Sequence, residues 1–236
     1  MKILAVETST MLGGVAVADD LNGLIAEVRL NIKSTHSERL MTEIDHVLKQ
    51  SGLEISDIDA FALTIGPGSF TGLRIGLSTV KGFSYATGKP IVSVPTLEAL
   101  AWNFYYCRYP VCTMLDARKE EVYAALFRWE SERFVRLIDE VSVNADKLLE
   151  KIRVKLENTI DQEIIFTGEG ALLYKDKIVE VMKGKAVFPP LEKMIPSPAN
   201  VASMGIQKVL RGEFSEPVSL IPYYIRRSEA EIKRDA

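Results

Sequence analysis

The most unusual part of the sequence reads Ile65-Gly66-Pro67-Gly68-Ser69-Phe70-Thr71-Gly72-Leu73-Arg74-Ile75-Gly76-Leu77. The apolar run Phe61 to Ile65 precedes it and predicts a buried parallel strand that ends in the Gly-Pro-Gly turn. Ser69 is placed to cap a following helix, on which Gly68, Gly72 and Gly76 share one stripe. Each interior glycine costs a helix about 1 kcal/mol relative to alanine. The stripe predicts a bare face that another backbone or a ligand approaches closely, or else a helix that lies close to its own sheet.

The composition is that of a globular protein of one large or two small domains. The chain has 236 residues, of which 47% are hydrophobic and 26% charged. Its formal net charge is -3 and its isoelectric point is near 5.6. A chain with no basic excess is not expected to hold nucleic acid tightly by itself, so any contact with RNA should be shared with a partner.

The N-terminal segment and the cysteines predict a cytoplasmic protein. Glu7 interrupts the first apolar run before it reaches the length of a signal sequence, and no later apolar run approaches membrane length. Cys107 and Cys112 are too few for a disulfide scaffold, and we expect both to be core thiols.

The order of predicted elements occurs twice, which predicts two similar α/β lobes with a cleft between them. Each copy has three strands, a helix, a strand, a helix, a strand and a helix. The predicted elements include strands over residues 2–7 and 90–94 and a helix over Ala171 to Met182. The first helix is predicted to bury an apolar stripe of Leu40, Met41, Ile44, Val47 and Leu48. The first lobe is predicted over residues 1–105. The second, smaller lobe is predicted over residues 106–236 and includes the closing helix and a charged, mobile tail.

Three turns are candidates for binding a nucleotide or phosphate. Glu7, Thr8 and Ser9 follow the first strand, where hydroxyls and amides could cup a phosphate, although a plain hairpin turn explains them equally well. Two further turns are predicted in the second lobe. Asp116 and Arg118 form one, in which the arginine either binds an anion or plugs the cleft, and Gly168 and Gly170 form the other, which turn chemistry alone would also explain.

Known catalytic templates fit poorly. The Gly66 to Thr71 turn lacks the Gly-Lys-Ser/Thr ending of a P-loop and does not match the Gly-x-Ser-x-Gly nucleophile elbow. His36 and His46 lie ten residues apart on one predicted helix and point in different directions. We therefore predict neither a metal site nor a catalytic residue.

Several segments together resemble one family. They are Ile3 to Thr10, His36-Ser37-Glu38, Gly66 to Gly76, Ser93 to Leu100, Asp116 to Tyr123, Gly168 to Ala171 and Pro222 to Arg226. In these segments the chain resembles the bacterial TsaB family, also called YeaZ. The resemblance implies two ribonuclease-H-like lobes, each a mixed sheet flanked by helices, in the architecture of actin, sugar kinases and heat-shock chaperones.

The resemblance also implies a function and partners. TsaB proteins pair with the larger paralogue TsaD and, with the ATPase TsaE, form threonylcarbamoyladenosine next to the anticodon of tRNAs that read codons starting with A. TsaD carries a His-x-x-x-His metal pair, but Thr96 and Leu100 stand at the matching positions here. Glu7 replaces the aspartate usual in its loop. These departures imply a non-catalytic subunit without a cofactor of its own, although ATP or ADP could bind in the complex. We expect a homodimer when TsaD is absent.

The association surface is predicted on the first lobe. We expect the His36 to Gln50 helix to supply outward polar groups and the glycine-striped helix to supply a close-packing face. The predicted interface residues are His36, Arg39, Glu43, His46, Gly68, Phe70, Gly72, Arg74 and Gly76. The competing hypothesis is a nucleotide-binding enzyme, related to ATPases and kinases or to peptidases, that acts in the cleft between the lobes.

Overall fold

The computed structural model describes residues 1–30, 36–156 and 163–225, with the backbone alone for His36 and Ser37. The chain divides into two compact units. Unit 1 contains Met1–Ala99 and Pro196–Tyr223, and unit 2 contains Leu100–Ile195 and the chain from Tyr224 onward.

Unit 1 is built on a five-stranded sheet with the order β3-β2-β1-β4-β5. Its strands are β1 (Lys2–Glu7), β2 (Gly13–Asp19), β3 (Gly23–Leu30), β4 (Ala60–Thr64) and β5 (Ile91–Val94). Its helices are α1 (His36–Ser51), α2 (Phe70–Thr87), α3 (Thr96–Ala101, whose last two residues belong to unit 2) and α7 (Pro198–Leu210). The first three strands are antiparallel neighbours, whereas β4 runs parallel to both β1 and β5.

Unit 2 repeats this plan with the order β10-β9-β6-β7-β8. Its strands are β6 (Val111–Arg118), β7 (Glu121–Glu130), β8 (Arg133–Asn144), β9 (Ile164–Thr167) and β10 (Ala186–Val187). Its helices are α4 (Ala145–Leu156), α5 (Glu169–Leu173) and α6 (Lys175–Met182). Again three strands form an antiparallel meander and two are added in parallel. The two predicted ribonuclease-H-like lobes are therefore confirmed as a fold class.

The central strands are buried on both faces, which explains their nearly continuous apolar sequence. All five residues of β4 are buried, and so are all residues of β1 after Lys2. In unit 1 the core cluster includes Leu4, Phe61 and Leu77. In unit 2 it includes Phe166 and Leu148. Burial of such side chains contributes about 25 cal/mol per Å² and is the main source of stability in each unit.

The closing helix α7 lies in unit 1 and not in the second lobe where the sequence placed it. It packs against all five strands of the first sheet. Gly205 permits this packing, because a Cβ there would lie 2.7 Å from Ile3 and 2.8 Å from Ala62. The chain thus returns to the first sheet after completing the second one, so the predicted division into 1–105 and 106–236 does not match the compact units.

Three smaller points differ from the predictions or lie outside the described residues. The helix predicted over Ala171 to Met182 is two helices that meet at Tyr174, where φ and ψ are -106° and 20°. Cys112 is buried, as predicted, and burial raises the pKa of its thiol, but Cys107 is only half-buried. The charged tail from Arg226 lies outside the described residues. Within the described residues, no helix is both long enough and apolar enough to cross a membrane.

Candidate functional site

The glycine-rich turn packs against the loop that follows β1. Ser69 caps α2, because its hydroxyl accepts a hydrogen bond from the Gly72 N–H at 3.3 Å. The Ser69 N–H donates in turn to the carbonyl of Ser9 at 2.6 Å. A Cβ on Gly68 would overlap that same carbonyl. The turn therefore requires glycine so that two segments of backbone can touch.

The glycine stripe of α2 faces its own sheet. A Cβ on Gly76 would overlap the hydroxyl of Thr8 and lie 3.5 Å from Val6. Gly72 is buried, and Gly68 lies before the first helical residue. Gly68 and Gly76 therefore permit close packing within the chain itself. This outcome matches the second prediction from the sequence, a helix that lies close to its own sheet. The two glycines do not form the bare outer face that the interface prediction required.

The outer face of α2 carries different residues. It includes Thr71, Arg74, Ser78, Gly82 and Tyr85, all of which are exposed. Tyr85 is 95% exposed, and a Cβ on Gly82 would meet nothing within 4 Å.

Two of the predicted interface residues on α2 contact each other. The guanidinium of Arg74 lies over the ring of Phe70, 3.7 Å from its centroid. Residues four apart are neighbours on a helix surface, which explains the contact. Phe70 is half-buried, and Arg74 remains exposed.

Helix α1 differs from the prediction in its polar residues. Arg39 and Glu43 were expected to point outward, but they are buried, with exposures of 5% and 4%. Arg39 Nε lies 3.4 Å from Glu43 Oε1. The guanidinium also donates to the carbonyls of Leu30 and Met11, at 3.1 and 3.2 Å. Arg39 thus ties α1 to the end of β3 and to the loop before β2.

The remaining predicted residues of α1 have mixed outcomes. His46 is exposed, whereas the side chain of His36 lies outside the described residues. Leu40, Ile44, Val47 and Leu48 are buried as predicted, but Met41, which the sequence assigned to the same apolar stripe, is 55% exposed. Burial of Arg39 and Glu43 and exposure of Met41 mean that the core-facing stripe is shifted around the helix.

The loop after β1 is filled by its own side chains. Glu7 is fully buried, and its Oε1 accepts hydrogen bonds from the N–H and the hydroxyl of Ser9 and from the hydroxyl of Thr64. Thr8 is also buried and lies against Gly76. A carboxylate thus occupies the donors that a phosphate would need, and its negative charge would repel one.

In unit 2 the structure brings the second group of candidate residues together. Arg118 is bound to Asp116 twice, through its N–H at 2.8 Å and through Nη1 at 3.2 Å. Its side chain is nevertheless 84% exposed. Gly168 and Gly170 pack on the backbone of β6, because a Cβ on Gly168 would overlap the carbonyl of Met114. Gly168 also has a φ of +107°, which favours glycine.

This turn brings two carboxyl groups, those of Asp116 and Glu169, close together. The pKa of Glu169 is raised, first by partial burial of its carboxyl and then by repulsion from Asp116, although the residue as a whole keeps an exposed surface. The backbone N–H of Asp116 offsets part of this by donating to Glu169. The pKa of Tyr174 is also raised by burial and by the charges of Asp116 and Glu120. Two carboxylates beside each other favour a proton or a cation over a phosphate. Within the described residues, no group of three His, Cys, Asp or Glu side chains is arranged to hold a metal ion.

Comparison with known proteins identifies the family. A family model described as TsaD, tRNA N6-adenosine threonylcarbamoyltransferase, matches residues 23–234. The chain belongs to this TsaD family. Among its members, the resemblance to TsaB (YeaZ) is confirmed.

Two TsaB proteins align with nearly the whole length of this chain. The tRNA threonylcarbamoyladenosine biosynthesis protein TsaB of Bacillus subtilis is 29% identical over 233 residues, which are 99% of this chain and 97% of that protein. TsaB of Escherichia coli is 27% identical over 226 residues, covering 93% and 94%.

Solved structures support the fold. A crystal structure from Pseudomonas aeruginosa, of a protein described as similar to peptidase YeaZ, has a TM-score of 0.80 and 26% identity, covering 95% of this chain and 99% of that one. The (R)-2-hydroxyglutaryl-CoA dehydratase component A of Acidaminococcus fermentans has a TM-score of 0.51 and 9% identity, covering 89% and 99%. This second likeness concerns the fold alone.

The exposed residues of this TsaD-family chain that sequence reasoning missed lie on the outer faces of α1 and α2. Helical spacing places Met41 on the buried apolar stripe, and the predicted interface includes neither Gly82 nor Tyr85. The sequence did contain a signal, because Gly82 lies six residues after Gly76 and therefore about 120° away from it around the helix.

Proposed function

We propose that the protein is a subunit that supports formation of threonylcarbamoyladenosine in tRNA. The observation that carries this proposal is the similarity to TsaB proteins of two bacteria along more than nine-tenths of the chain. The modified adenosine lies next to the anticodon of tRNAs that read codons starting with A. Because the chain has a net charge of -3, we infer that it meets tRNA only as part of a complex.

We further propose that the subunit is non-catalytic and binds TsaD. The hydrogen bonds that Glu7 accepts from Ser9 and Thr64 support this proposal, since they leave the first loop poorly suited to a phosphate. The acidic pair Asp116 and Glu169 makes the second turn similarly unsuited. TsaE is expected to join the same assembly, and any ATP or ADP is expected to bind in the complex.

The proposed TsaD-binding surface is the outer face of α1 and α2, hereafter the helical face. We define it by five exposed residues, Met41, His46, Ser78, Gly82 and Tyr85. The contact between the two helices supports treating their outer residues as one surface. Gly82 leaves room for a partner helix to approach closely, and Tyr85 is an exposed aromatic side chain of the kind that anchors interfaces. Without TsaD, the same face is expected to form a homodimer.

Mixing the chain with TsaD from the same organism tests this proposal. Gly82→Leu and Tyr85→Ala should each weaken the association at least about ten-fold, because one blocks close approach and the other removes an anchor. The matched controls are Ser203→Leu, at an exposed position of α7 in the same unit, and Leu191→Ala, which removes an exposed apolar side chain from unit 2. Calorimetry measures the affinity, and sedimentation measures self-association.

The outcome that would overturn the helical face is full TsaD binding by both Gly82→Leu and Tyr85→Ala. Failure of even the unchanged protein to bind TsaD would overturn the partner proposal as a whole.

The alternative function is a nucleotide-handling or peptidase-like enzyme. Two observations favour it: unit 2 brings Asp116, Arg118, Gly168 and Gly170 to one end of its sheet, and the Pseudomonas neighbour is described as similar to a peptidase. Assays of ATP hydrolysis, phosphoryl transfer and peptide cleavage by the purified chain decide between the two. We expect no turnover. Turnover that Asp116→Asn abolishes would replace the non-catalytic proposal.

A further inference from the structure

A groove on unit 2 lies between the edge strand β8 and helix α4. It has a volume of about 670 Å³. The residues that line it are Leu137, Ile138 and Asp139 of β8, and Lys147, Glu150, Lys151, Val154 and Lys155 of α4.

The floor of the groove is apolar because the strand is irregular. The pairing of β8 with β7 shifts register on both sides of Leu126, so β8 carries extra residues at Leu137 and at Asp139–Glu140. Residues of a regular strand alternate between faces, but both Leu137 and Ile138 pack against the core on the α4 side. Val154 of α4 completes this apolar surface and is 64% exposed. Covering an exposed apolar floor of this kind removes apolar surface from water and therefore favours binding.

The rim of the groove is basic. Lys147, Lys151 and Lys155 follow one another at intervals of four, so they form a single stripe along α4. All three are exposed, and none makes a hydrogen bond or ion pair with another described residue. Asp139 and Glu150 contribute two carboxylates, which leaves the lining with one net positive charge. The stripe of ammonium groups is therefore available to carboxylates from outside the chain.

The edge strand limits the shape of an occupant. β8 is the last strand of its sheet within the described chain, so one side of its backbone has no strand partner. Edge strands can accept an added strand, but bulges disfavour a long one. The stripe from Lys147 to Lys155 spans about 12 Å, which corresponds to about four residues of extended chain. The geometry suits a short extended segment.

We propose that this groove binds a short peptide segment of another protein that presents apolar side chains to the floor and carboxylates to the lysine stripe. Charge complementarity identifies the acidic character of the partner, and the floor of Leu137, Ile138 and Val154 identifies its apolar character. The groove is distinct from the helical face and does not depend on the proposed function.

Selection from a phage library of random peptides tests the proposal on the full chain. We expect the selected peptides to be enriched in acidic and large apolar residues. Their affinity, measured by fluorescence anisotropy, should fall about ten-fold for Lys147→Glu/Lys151→Glu and should decrease with added salt. Val154→Lys should weaken binding without affecting the fold, because the residue is already exposed.

The matched control is Arg153→Glu/Lys183→Glu, which makes the same change in net charge at exposed positions outside the groove. The proposal is overturned if no acidic peptides are selected, or if the control and groove variants bind the selected peptides equally. Lysine-dependent self-association of the chain in sedimentation experiments would also overturn it, since the occupant would then be a second copy.

Discussion

Gly76 and Gly82 lie on the same helix, yet their surroundings predict opposite effects of substitution. A Cβ on Gly76 would overlap Thr8, whereas one on Gly82 would meet nothing. We expect Gly76→Ala to lower the free energy of unfolding by about 1–3 kcal/mol, because the sheet and helix must move apart. Gly82→Ala should raise it by up to about 1 kcal/mol, because alanine favours the helix. Urea denaturation of both variants measures the difference.

The two variants also test whether the glycine stripe of α2 faces its own sheet. If Gly76→Ala were as stable as Gly82→Ala, then α2 would not depend on close contact with β1, and the stripe would be available to a partner after all.

Glu43 predicts a pH dependence of stability. Burial raises the pKa of its carboxyl, and the nearby Arg39 only partly opposes this effect. A raised pKa means that the folded state holds its proton to higher pH than the unfolded state does. The contribution of the Glu43 carboxyl to the free energy of unfolding is therefore present below the pKa of the unfolded state. It is lost as pH rises through the pKa of the folded state. We expect Glu43→Gln to lack this loss, so that the variant gains stability relative to the native protein as pH rises from 4 to 7.

Denaturation at several pH values measures this difference, with Glu38→Gln as the control at an exposed position of the same helix. A difference between the native protein and Glu43→Gln that does not vary with pH would contradict the raised pKa.

At the scale of elements, the start of α7 depends on a residue far away in the chain. Glu27 of β3 accepts hydrogen bonds from the Ser197 hydroxyl at 2.7 Å and from the Ala199 N–H at 3.0 Å. It thus acts as an N-cap supplied by another element, and its charge complements the helix dipole. We expect Glu27→Ala to lower the free energy of unfolding by about 1–2 kcal/mol.

A double-mutant cycle with Ser197→Ala measures how much of this effect belongs to the contact itself. The two substitutions should be less than additive, because each removes the same hydrogen bond. Strict additivity would show that the hydrogen bond between Glu27 and the Ser197 hydroxyl makes no contribution of its own.

At the scale of the whole molecule, unit 1 is discontinuous in sequence. The Asn200 side-chain amide donates to the carbonyl of Ala99 at 3.3 Å, so the two segments of the unit meet at that point. We predict that residues 1–99 joined by a short Gly/Ser linker to residues 196–223 fold cooperatively. Residues 1–105 alone should not fold cooperatively, because they lack α7 and the face of the sheet that α7 covers would be exposed to solvent.

Circular dichroism and thermal denaturation of the two polypeptides distinguish these outcomes. Cooperative unfolding of residues 1–105 would restore the division that the sequence suggested.

Much of the fold could be predicted because its signals are local. Short apolar runs and turn residues placed β1, β4 and β5 to within one residue, and the repeated order of elements predicted two equivalent sheets. The break at Tyr174 was not predicted because no glycine or proline marks it. The candidate site was predicted less well, since the polar residues of α1 were assigned by helical spacing alone, and spacing does not show that Arg39 finds carbonyl partners on other segments.

The sequence by itself determined the elements, their duplicated order, the cap at Ser69 and the need for glycine in α2, because these follow from backbone conformation and periodicity. Only the tertiary structure decided which way Gly76 faces, that Arg39 and Glu43 are buried, and that α7 returns to the first sheet. The physical reason is that burial is a property of the surface an element meets. A sequence shows that a helix has an apolar or bare side, but the partner for that side is fixed when distant segments such as the Thr8 loop, β3 and α7 pack together.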